Sequence, residues 1–597
     1  MRSYRSLLFL PLFWLLSTPG FAGLDEEQEL ADVMIIQLVD FVAMTLDDMD
    51  PKRPGIIPRN SSHTHDPDPC YPMAYLYKTP HPLNPYHGDK RIRDAAIAIC
   101  DFITSTRMRP EWPLYLVDQV YELLEEELLL DRREAWKEYA RDYVQTRGMR
   151  PYFFTSPNHE AWNALAIFRA GQVFGEPEWT DHGKGLMRQL FKLQTKLGYF
   201  DEGHHHGPAM KYNQVQLAPM LLYYDYSQDP VALEVCEKLA NFMIRYSFPD
   251  GSPIGTFDGR QSYSLGYYGT LCYGLDRWPI GKELNRRIFR TRKKWDILSL
   301  ESPYYSFSEW YAYFGIFFML DEYRSLQPEA PSSPLPQDGN GYVMAEKSPS
   351  FDGGVIRQHD WMVAMSAYIS DVPRYRRGPY QLERQSRLDI WHEKTGLIVG
   401  GGHGMMGSNP PLANFILLTG YADVTAEHGL MAGGDDQQRR SMYSPRAARA
   451  VFKNEIQSLA ATFGHGDFVL ETRPLDSNHL EITYKYDIVA ARRALVQLPL
   501  ILFHDSEITV DGQQYDRSSS LRVQEQIQIH NPTMDSKVTI SVPDQSNILL
   551  REAIYQLRWY GGDHKDQRYR PYYQIALLSL QVERPREGTG TFLISID

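Results

Sequence analysis

Through the first half of the chain, apolar and polar residues alternate in blocks of helical length. Segments over 27–47, 89–105, 116–130, 132–147, 158–174, 179–196, 208–226, 230–246, 262–274, 281–297 and 306–325 are each long enough for a helix, and short Gly, Pro and Asp turns separate many of them. Strand patterns are nearly absent up to Leu326, which predicts an all-α region. Within 208–226, Leu217, Met220, Leu221 and Tyr224 fall at i, i+3, i+4 and i+7 and form the predicted buried stripe. Tyr212 lies about 130° away from that stripe, one turn from the predicted N-terminus. Pro219 interrupts the same segment and predicts a kink.

A loose internal repeat accompanies the helices. LGYFDEG before the helix at 208 is echoed by YSFPDGSPIGTFDG before the segment at 262. The repeat is about one helical hairpin long, which predicts stacked hairpins closing into an (α/α) toroid with helix ends around one cleft. The stretch 327–341, QPEAPSSPLPQDGNG, holds four prolines and reads as a linker. Beyond it the period drops to two: Leu480, Ile482, Tyr484, Tyr486 and Ile488 alternate with polar residues, as do Val538, Ile540 and Val542. The predicted fold is multidomain α+β, an N-terminal (α/α) toroid over 23–326 followed by a C-terminal antiparallel β-sandwich over 342–597.

Residues 1–22 stand outside this pattern. Arg2 and Arg5, an apolar run over 7–16 and Gly20-Phe21-Ala22 match a secretory signal, which predicts a periplasmic or secreted protein. No later stretch reaches the roughly 18 to 20 apolar residues of a membrane helix, so no membrane association is expected after the signal is removed. Net charge is −13, and −15 once Arg2 and Arg5 leave, which argues against a nucleic-acid partner. An anionic ligand stays open, because the local field of a cleft decides its binding. The 39 Tyr and 11 Trp allow aromatic platforms for sugar rings beside their ordinary use in cores. Cys70, Cys100, Cys236 and Cys272 are compatible with one or two disulfides or with buried free thiols, and their spacing matches no metal motif. Nothing in the chain indicates an oligomeric state.

Proton-handling side chains concentrate in 156–226. Asn158-His159-Glu160, Asp201-Glu202-Gly203, His204-His205-His206 and Lys211-Tyr212-Asn213 all fall there, and groups of this kind are costly to bury without partners. A tyrosine beside cations near a helix N-terminus favours its phenolate, which makes Tyr212 a candidate proton carrier. Asn158 could instead serve only as a helix cap. Three consecutive histidines cannot converge on one metal ion by themselves, so His206 is read as a donor or base, and His204 with Glu202 as substrate contacts. Arg260 in TFDGRQSYS offers a fork that matches a sugar carboxylate, with Tyr263 beside it for stacking; Tyr375 and Arg376 in PRYRRGPY do the same. The glycine run at 400–402 lacks the Lys-Ser/Thr pair of a phosphate cradle and reads as a strand turn.

Tyr212 lies 54 and 53 residues after Asn158 and His159, in a chain that runs from helices to strands. In these features it resembles the heparinase II/III-like polysaccharide lyases. The resemblance implies an (α/α) toroid joined to an antiparallel β-sandwich, and cleavage of a uronic-acid-containing polysaccharide by β-elimination at C4–C5. It puts Asn158 or His159 on the group that neutralises the uronate carboxylate and Tyr212 on the catalytic base and acid. A histidine from an early sandwich strand completes such a site: His359 in GGVIRQHDWMVAMSAY first, with His392 and His403 as alternatives. The chemistry suits these residues, since loss of the C5 proton leaves charge on the carboxylate that a donor must offset before a base and an acid act. No cofactor is required, and a structural zinc or calcium ion is compatible. The implied partner is an anionic polysaccharide or oligosaccharide. Two other readings remain: a glycoside hydrolase using paired carboxylates among Glu160, Asp201, Glu202, Asp250 and Asp258, and a carbohydrate-binding protein without catalysis.

Overall fold

The computed structural model describes residues 26–49, 69–108, 111–146, 148, 157–201, 207–257, 273–295, 333–348, 351–369, 386–400, 414–418, 445–453, 455–463, 466–489, 493–543, 547–551, 573–583 and 586–597. Ten α-helices fall among them: α1 (Glu26–Asp48), α2 (Cys70–Lys78), α3 (Lys90–Thr106), α4 (Glu111–Leu124), α5 (Leu130–Thr146), α6 (Pro157–Val173), α7 (Pro177–Phe191), α8 (Met210–Ser227), α9 (Pro230–Arg245) and α10 (Pro279–Lys294). No helix among the described residues is long and apolar enough to cross a membrane. The leader at 1–22, the segment at 306–325 and all but the end of 262–274 lie outside the described residues. Two helices differ from the sequence pattern. The short α2 was not expected, and α4 begins five residues early and ends before Glu125, Glu126 and Glu127. Three carboxylates at the negative end of a helix oppose its dipole, and the chain tightens there into a 3-10 turn.

The chain forms two compact units. The first comprises Met1–Met108, Leu116–Tyr139 and Phe307–Leu326, the second Arg109–Tyr115, Ala140–Ser306 and Gln327–Asp597, so the division falls within the helical series. In the first unit α3 is capped by Asp89, which accepts from the Arg91 N–H, and Asp101 accepts from the Trp136 indole at 2.9 Å. Cys70, Cys100 and Cys236 are buried free thiols, and Cys272 lies outside the described residues. Of the two uses open to the cysteines, these three take the reduced one; burial pushes the Cys100 thiol well up.

The second unit carries the elements that matter for a site. α6 and α7 form a tight antiparallel hairpin: Gly171 lies against Thr180 and Gly183 against Phe168, each so close that a Cβ would strike backbone. The repeat seen in the sequence corresponds to two loops closed by isolated antiparallel bridges, Asp201 with Pro208 and Ser247 with Pro253. The described part of the expected linker is docked. Leu335 is buried, the Gln337 amide donates to Ile244 O and Ser247 O at 3.0 Å each, and Arg287 grips Asp338 at 2.6 and 2.7 Å.

Two antiparallel sheets follow. One runs β1 (Val343–Lys347), β2 (Asp352–Gln358), β3 (Trp361–Ser366), β4 (Arg387–His392), β5 (Gly396–Val399), then Arg493–Phe503, Tyr573–Glu583, Ile548–Leu550 and Leu521–Arg522, with Phe415–Leu418 paired off this path. The other holds, among the described residues, nine strands around His479–Ile488 and Arg586–Ile596. The predicted alternation is present: Leu480, Ile482, Tyr484, Tyr486 and Ile488 face inward, while Lys485 and Asp487 are exposed. Val363, Ile390 and Leu498 of the first sheet share one core with Leu470, Ile482 and Phe592 of the second.

β4 decides how the first sheet meets the helical part of its unit. Its period of two sends Leu388 and Ile390 into the sandwich core and Arg387, Asp389 and Trp391 to the other face. There the segment 248–257 runs along the strand. Phe248 stacks on Trp391 at 6.1 Å, whose indole donates to Asp250 at 3.0 Å, and Asp389 accepts from the backbone N–H of Thr256 at 2.9 Å. Thr256 and Ser366 hydroxyls meet at 2.8 Å, and the Tyr368 hydroxyl donates to Phe257 O at 2.9 Å. Phe351 sits among Tyr199, Phe242, Tyr246, Phe257 and Tyr368, with ring centres 5.1 to 6.2 Å from its own.

Burial raises the Asp389 carboxyl from 3.8 to about 7, against the Thr256 N–H and Arg387, which lower it. The folded protein therefore holds this proton where the unfolded chain has lost it. Stability from neutral Asp389 is complete below its unfolded value and is lost as pH rises through about 7. Asp389→Asn cannot ionise, so its melting temperature should gain on the wild type as pH is raised from about 5 to about 8. Parallel melting curves across that range would contradict the assignment.

Candidate active site

α6 opens with Pro157 at its first position, where the fixed φ suits a helix start and the missing N–H is no loss. The next three residues differ in their use. Asn158 is 5% exposed, and its side-chain oxygen has no hydrogen-bond partner among the described residues. Because the two ends of an amide are interchangeable by rotation, this is one unmet polar end held at the helix start. His159 is half-buried, with its ring 6.2 Å from that of Trp112. Glu160 is fully buried and accepts from Asn163 at 3.2 Å, while Asn163 accepts from the Tyr143 hydroxyl at 3.1 Å. That chain commits Glu160 to structure. Asp250 is committed too, by the Ser252 N–H and hydroxyl and by Trp391.

Tyr212 is half-buried in the first turn of α8. The predicted stripe is wider than expected, since Leu222 and Tyr223 are buried with Leu217, Met220 and Leu221, whereas Tyr224 is half-exposed; Pro219 lies inside the continuous helix. Its neighbour Asn213, buried, accepts from Phe200 N–H at 2.9 Å and donates to Phe200 O and Ala209 O at 3.3 and 3.1 Å. Together with the bridge between Asp201 and Pro208, these bonds fix both ends of the segment that carries Glu202, His204 and His206. Those three residues lie outside the described residues.

Asn158 and Tyr212 come to the same end of neighbouring helices. Beyond Phe191 the chain continues in the direction of α7: Gln194 bonds Val235 O at 2.8 Å, Tyr199 meets Phe242 at 4.9 Å, and Phe200 meets Asn213. It then turns, so that α8 runs parallel to α6. Phe168 of α6 touches Tyr223 of α8 at 5.0 Å. Counting back at 1.5 Å per residue, Asn158 lies about 15 Å and Tyr212 about 17 Å from that contact, in the same direction. Both sit at helix N-termini, where the dipole favours a negative ligand.

Among the described residues, the first sheet meets this region through one end. Ser348, whose hydroxyl is 3.3 Å from the Tyr199 hydroxyl, and Phe351 lie at the near end of β2. His359 lies at the other end, about 20 Å away along the seven residues of β2. It is in the turn between β2 and β3, with φ +54 and its N–H on Asn340 at 2.9 Å, rather than on a strand as expected. His392 shares that far end. Its Nε2–H donates to Ser477 O at 2.8 Å, its Nδ1 accepts from Lys394 N–H at 3.2 Å, and burial lowers its pKa from 6.5. The structure thus does not bring His359 or His392 to Tyr212. The chain leaves the described structure at Phe257, Ile369 and Gly400, beside the contacts of Tyr368 and Asp389, before reaching Arg260 and Tyr263, Tyr375 and Arg376, and His403. Those five residues lie outside the described residues.

Arg387 was missed by sequence reasoning. It is buried at the near end of β4, its Nε and Nη2 have no partner among the described residues, and burial lowers its pKa to about 9. The only signal was a pair of opposite charges two apart in an otherwise apolar strand, which reads equally as a solvated face. Among the described residues no group of three or more His, Cys, Asp or Glu could hold a metal ion.

No family model matches the chain, and no curated protein does. Solved structures do. The chondroitin AC lyase of Streptomyces coelicolor A3, in complex with chondroitin sulphate, matches 96% of this chain and 80% of its own at 12% identity and a TM-score of 0.55. A tyrosine-to-alanine mutant of that lyase matches the same shares at 13% identity and a TM-score of 0.57. Heparinase III matches 88% of this chain and 75% of its own, at 10% identity and a TM-score of 0.49. The chain shares the fold of these chondroitin AC lyase structures, helical hairpins followed by antiparallel sheets.

Asn213→Ala would leave the Phe200 N–H and the Phe200 carbonyl unpaired in a buried setting, at a cost of about 1–3 kcal/mol, whereas Ala209 O keeps the backbone N–H of residue 213. The urea midpoint should fall, and the Phe200 amide should exchange faster than its neighbours. An unchanged midpoint and unchanged exchange at Phe200 would contradict the role given to Asn213.

Proposed function

We propose that the chain is a secreted polysaccharide lyase that cleaves a uronic-acid-containing polysaccharide by β-elimination. What carries the reading is the pair at one end of α6 and α8: a buried Asn158 amide with an unmet polar end, and a half-buried Tyr212. The fold likeness supports it, and so does the chondroitin sulphate bound to one of the lyases of that fold. The chemistry follows from the groups. Asn158, with His159 beside it, donates to the uronate carboxylate, so that the charge arriving from C5 is offset as it forms. Two helix N-termini add positive potential at the same place. Tyr212 as phenolate takes the C5 proton and, as phenol, returns one to the leaving O4, which leaves a C4=C5 double bond on the new end.

The remaining members of the site are proposals of the same kind. His206 is the second proton carrier; Glu202, His204, Arg260, Tyr263, Tyr375 and Arg376 hold the flanking sugars. His403 follows the strand end beside Asp389 and is the sandwich histidine of choice, since His359 and His392 lie at the far end of their strands. Hydrolysis has less support, because Glu160 and Asp250 are already bonded to structural partners.

The purified protein should be incubated with a panel of uronate polysaccharides while ultraviolet absorbance and reducing ends are followed together. Elimination predicts that both rise on at least one substrate, and that Tyr212→Phe slows the rise by roughly a hundred- to ten-thousand-fold while binding persists. Reducing ends without absorbance would overturn the reading in favour of hydrolysis. Binding without new ends would leave a carbohydrate-binding protein.

A further inference from the structure

The second unit also holds a cavity of about 490 Å³, a size typical of small-molecule sites, which run from about 300 to 1,000 Å³. α10 and Pro249 bound it on one side, and the turns that follow β2 and β4 on the other. Its charged lining is unevenly paired. Arg287 is saturated: it takes both oxygens of Asp338, Glu283 at 2.8 Å and Pro249 O at 2.8 Å. Arg357 is not. One nitrogen, Nη2, donates to Glu393 at 2.6 Å, whereas Nε and Nη1 are fully buried with no partner among the described residues. Its guanidinium lies 5.6 Å over the Trp391 ring, which holds it in place.

Three further groups complete the wall. The Glu393 side chain is 55% exposed and held to Arg357 by a single bond, so it can rotate outward. The Asp360 carboxylate makes no hydrogen bond among the described residues. Arg290 is 55% exposed, 3.8 Å from Glu283. A carboxylate or sulfate can take the place of Glu393 on the Arg357 Nη2, and a carboxylate such as Asp360 can only accept, so it calls for hydroxyl donors. A bare anion would meet Arg357 but face Asp360 with like charge. A neutral sugar would meet Asp360 and leave Arg357 unmatched. One ligand answers both: an acid group with hydroxyls around it on a small ring.

We propose that this cavity is an accessory binding site for a uronic-acid unit, with Arg357 and Arg290 on the acid group and Asp360 on the hydroxyls. It would hold a stretch of the same acidic polysaccharide away from the reacting bond. The identity of the ligand rests on the uronate reading above; the donor and acceptor pattern of the cavity does not.

The test is calorimetric titration of the full chain carrying Tyr212→Phe with D-glucuronate, D-glucose and sodium sulfate separately. The same titrations are repeated with Arg290→Ala and Asp360→Ala added together, and with Arg357→Lys, which keeps the charge but not the fork. Melting temperatures of all variants establish that they are folded. Glucuronate should bind, the double substitution should weaken it at least tenfold, and glucose and sulfate should each bind at least tenfold more weakly than glucuronate. Sulfate binding as tightly as glucuronate would reduce the cavity to a plain anion site and overturn the proposal. So would glucuronate binding that ignores all three cavity substitutions, or no glucuronate binding at all. Elimination without cavity-dependent binding would sink this inference and leave the lyase reading standing, and the reverse result would do the opposite.

Discussion

A buried carboxyl group at the joint between strand and loop sets the geometry of the second unit. Asp389 accepts the Thr256 N–H from the turn at Gly255–Phe257 and is fully enclosed while doing so. The first backbone donors of a 3-10 turn have no partner within the turn and must find one outside it when buried, and the strand supplies it at a fixed register. The rest of the joint follows from that register. Trp391, two residues on, reaches Phe248 and Asp250; Ser366, paired with Arg387 across the ladder, reaches Thr256. The aromatic rings around Phe351 then close the space between Tyr199 and the near end of the sheet.

This arrangement links packing to chemistry through Tyr199 and Phe200. Tyr199 is held by the sheet through Ser348 and Phe351, and Phe200 is held by Asn213 in the first turn of α8. Tyr212 therefore stands on a helix start tied to the joint within two or three residues. Asn158 stands on the start of the neighbouring parallel helix. Groups on helix termini that are braced from behind keep their positions better than groups on free loops, which is what proton transfer over hydrogen-bond distances needs. The buried Arg387 beside Asp389 contributes positive charge at the same end of the sheet.

Much of this was legible in the chain, and the rest was hidden for identifiable reasons. The helical half and the strand half could be read from period alone, because Leu480 to Ile488 obey strict alternation and the helices are long. The docking of 333–341 could not, since Gln337 and Asp338 find their partners on α9 and α10, far away in sequence. Proline-rich composition reports only local stiffness. His359 looked like a strand residue because His-Asp has no glycine to announce a turn, yet the chain puts a non-glycine residue at positive φ there. His392 looked catalytic for its chemistry alone, and the bonds to Ser477 and Lys394 that occupy it are invisible without the fold. The Asn158 and Tyr212 pair was found by resemblance; its geometric support came only with the parallel course of α6 and α8.

The central claim is that Asn158 and Tyr212 address one uronate from the starts of these two helices. A crystal structure of the Tyr212→Phe protein with a short uronate oligosaccharide bound tests it most directly. The account predicts the Asn158 amide within hydrogen-bond distance of a uronate carboxylate and the ring at position 212 beside C5 of the same sugar. A saccharide that crosses the cleft with its carboxylate away from Asn158, and two protein carboxylates flanking a glycosidic bond instead, would contradict it.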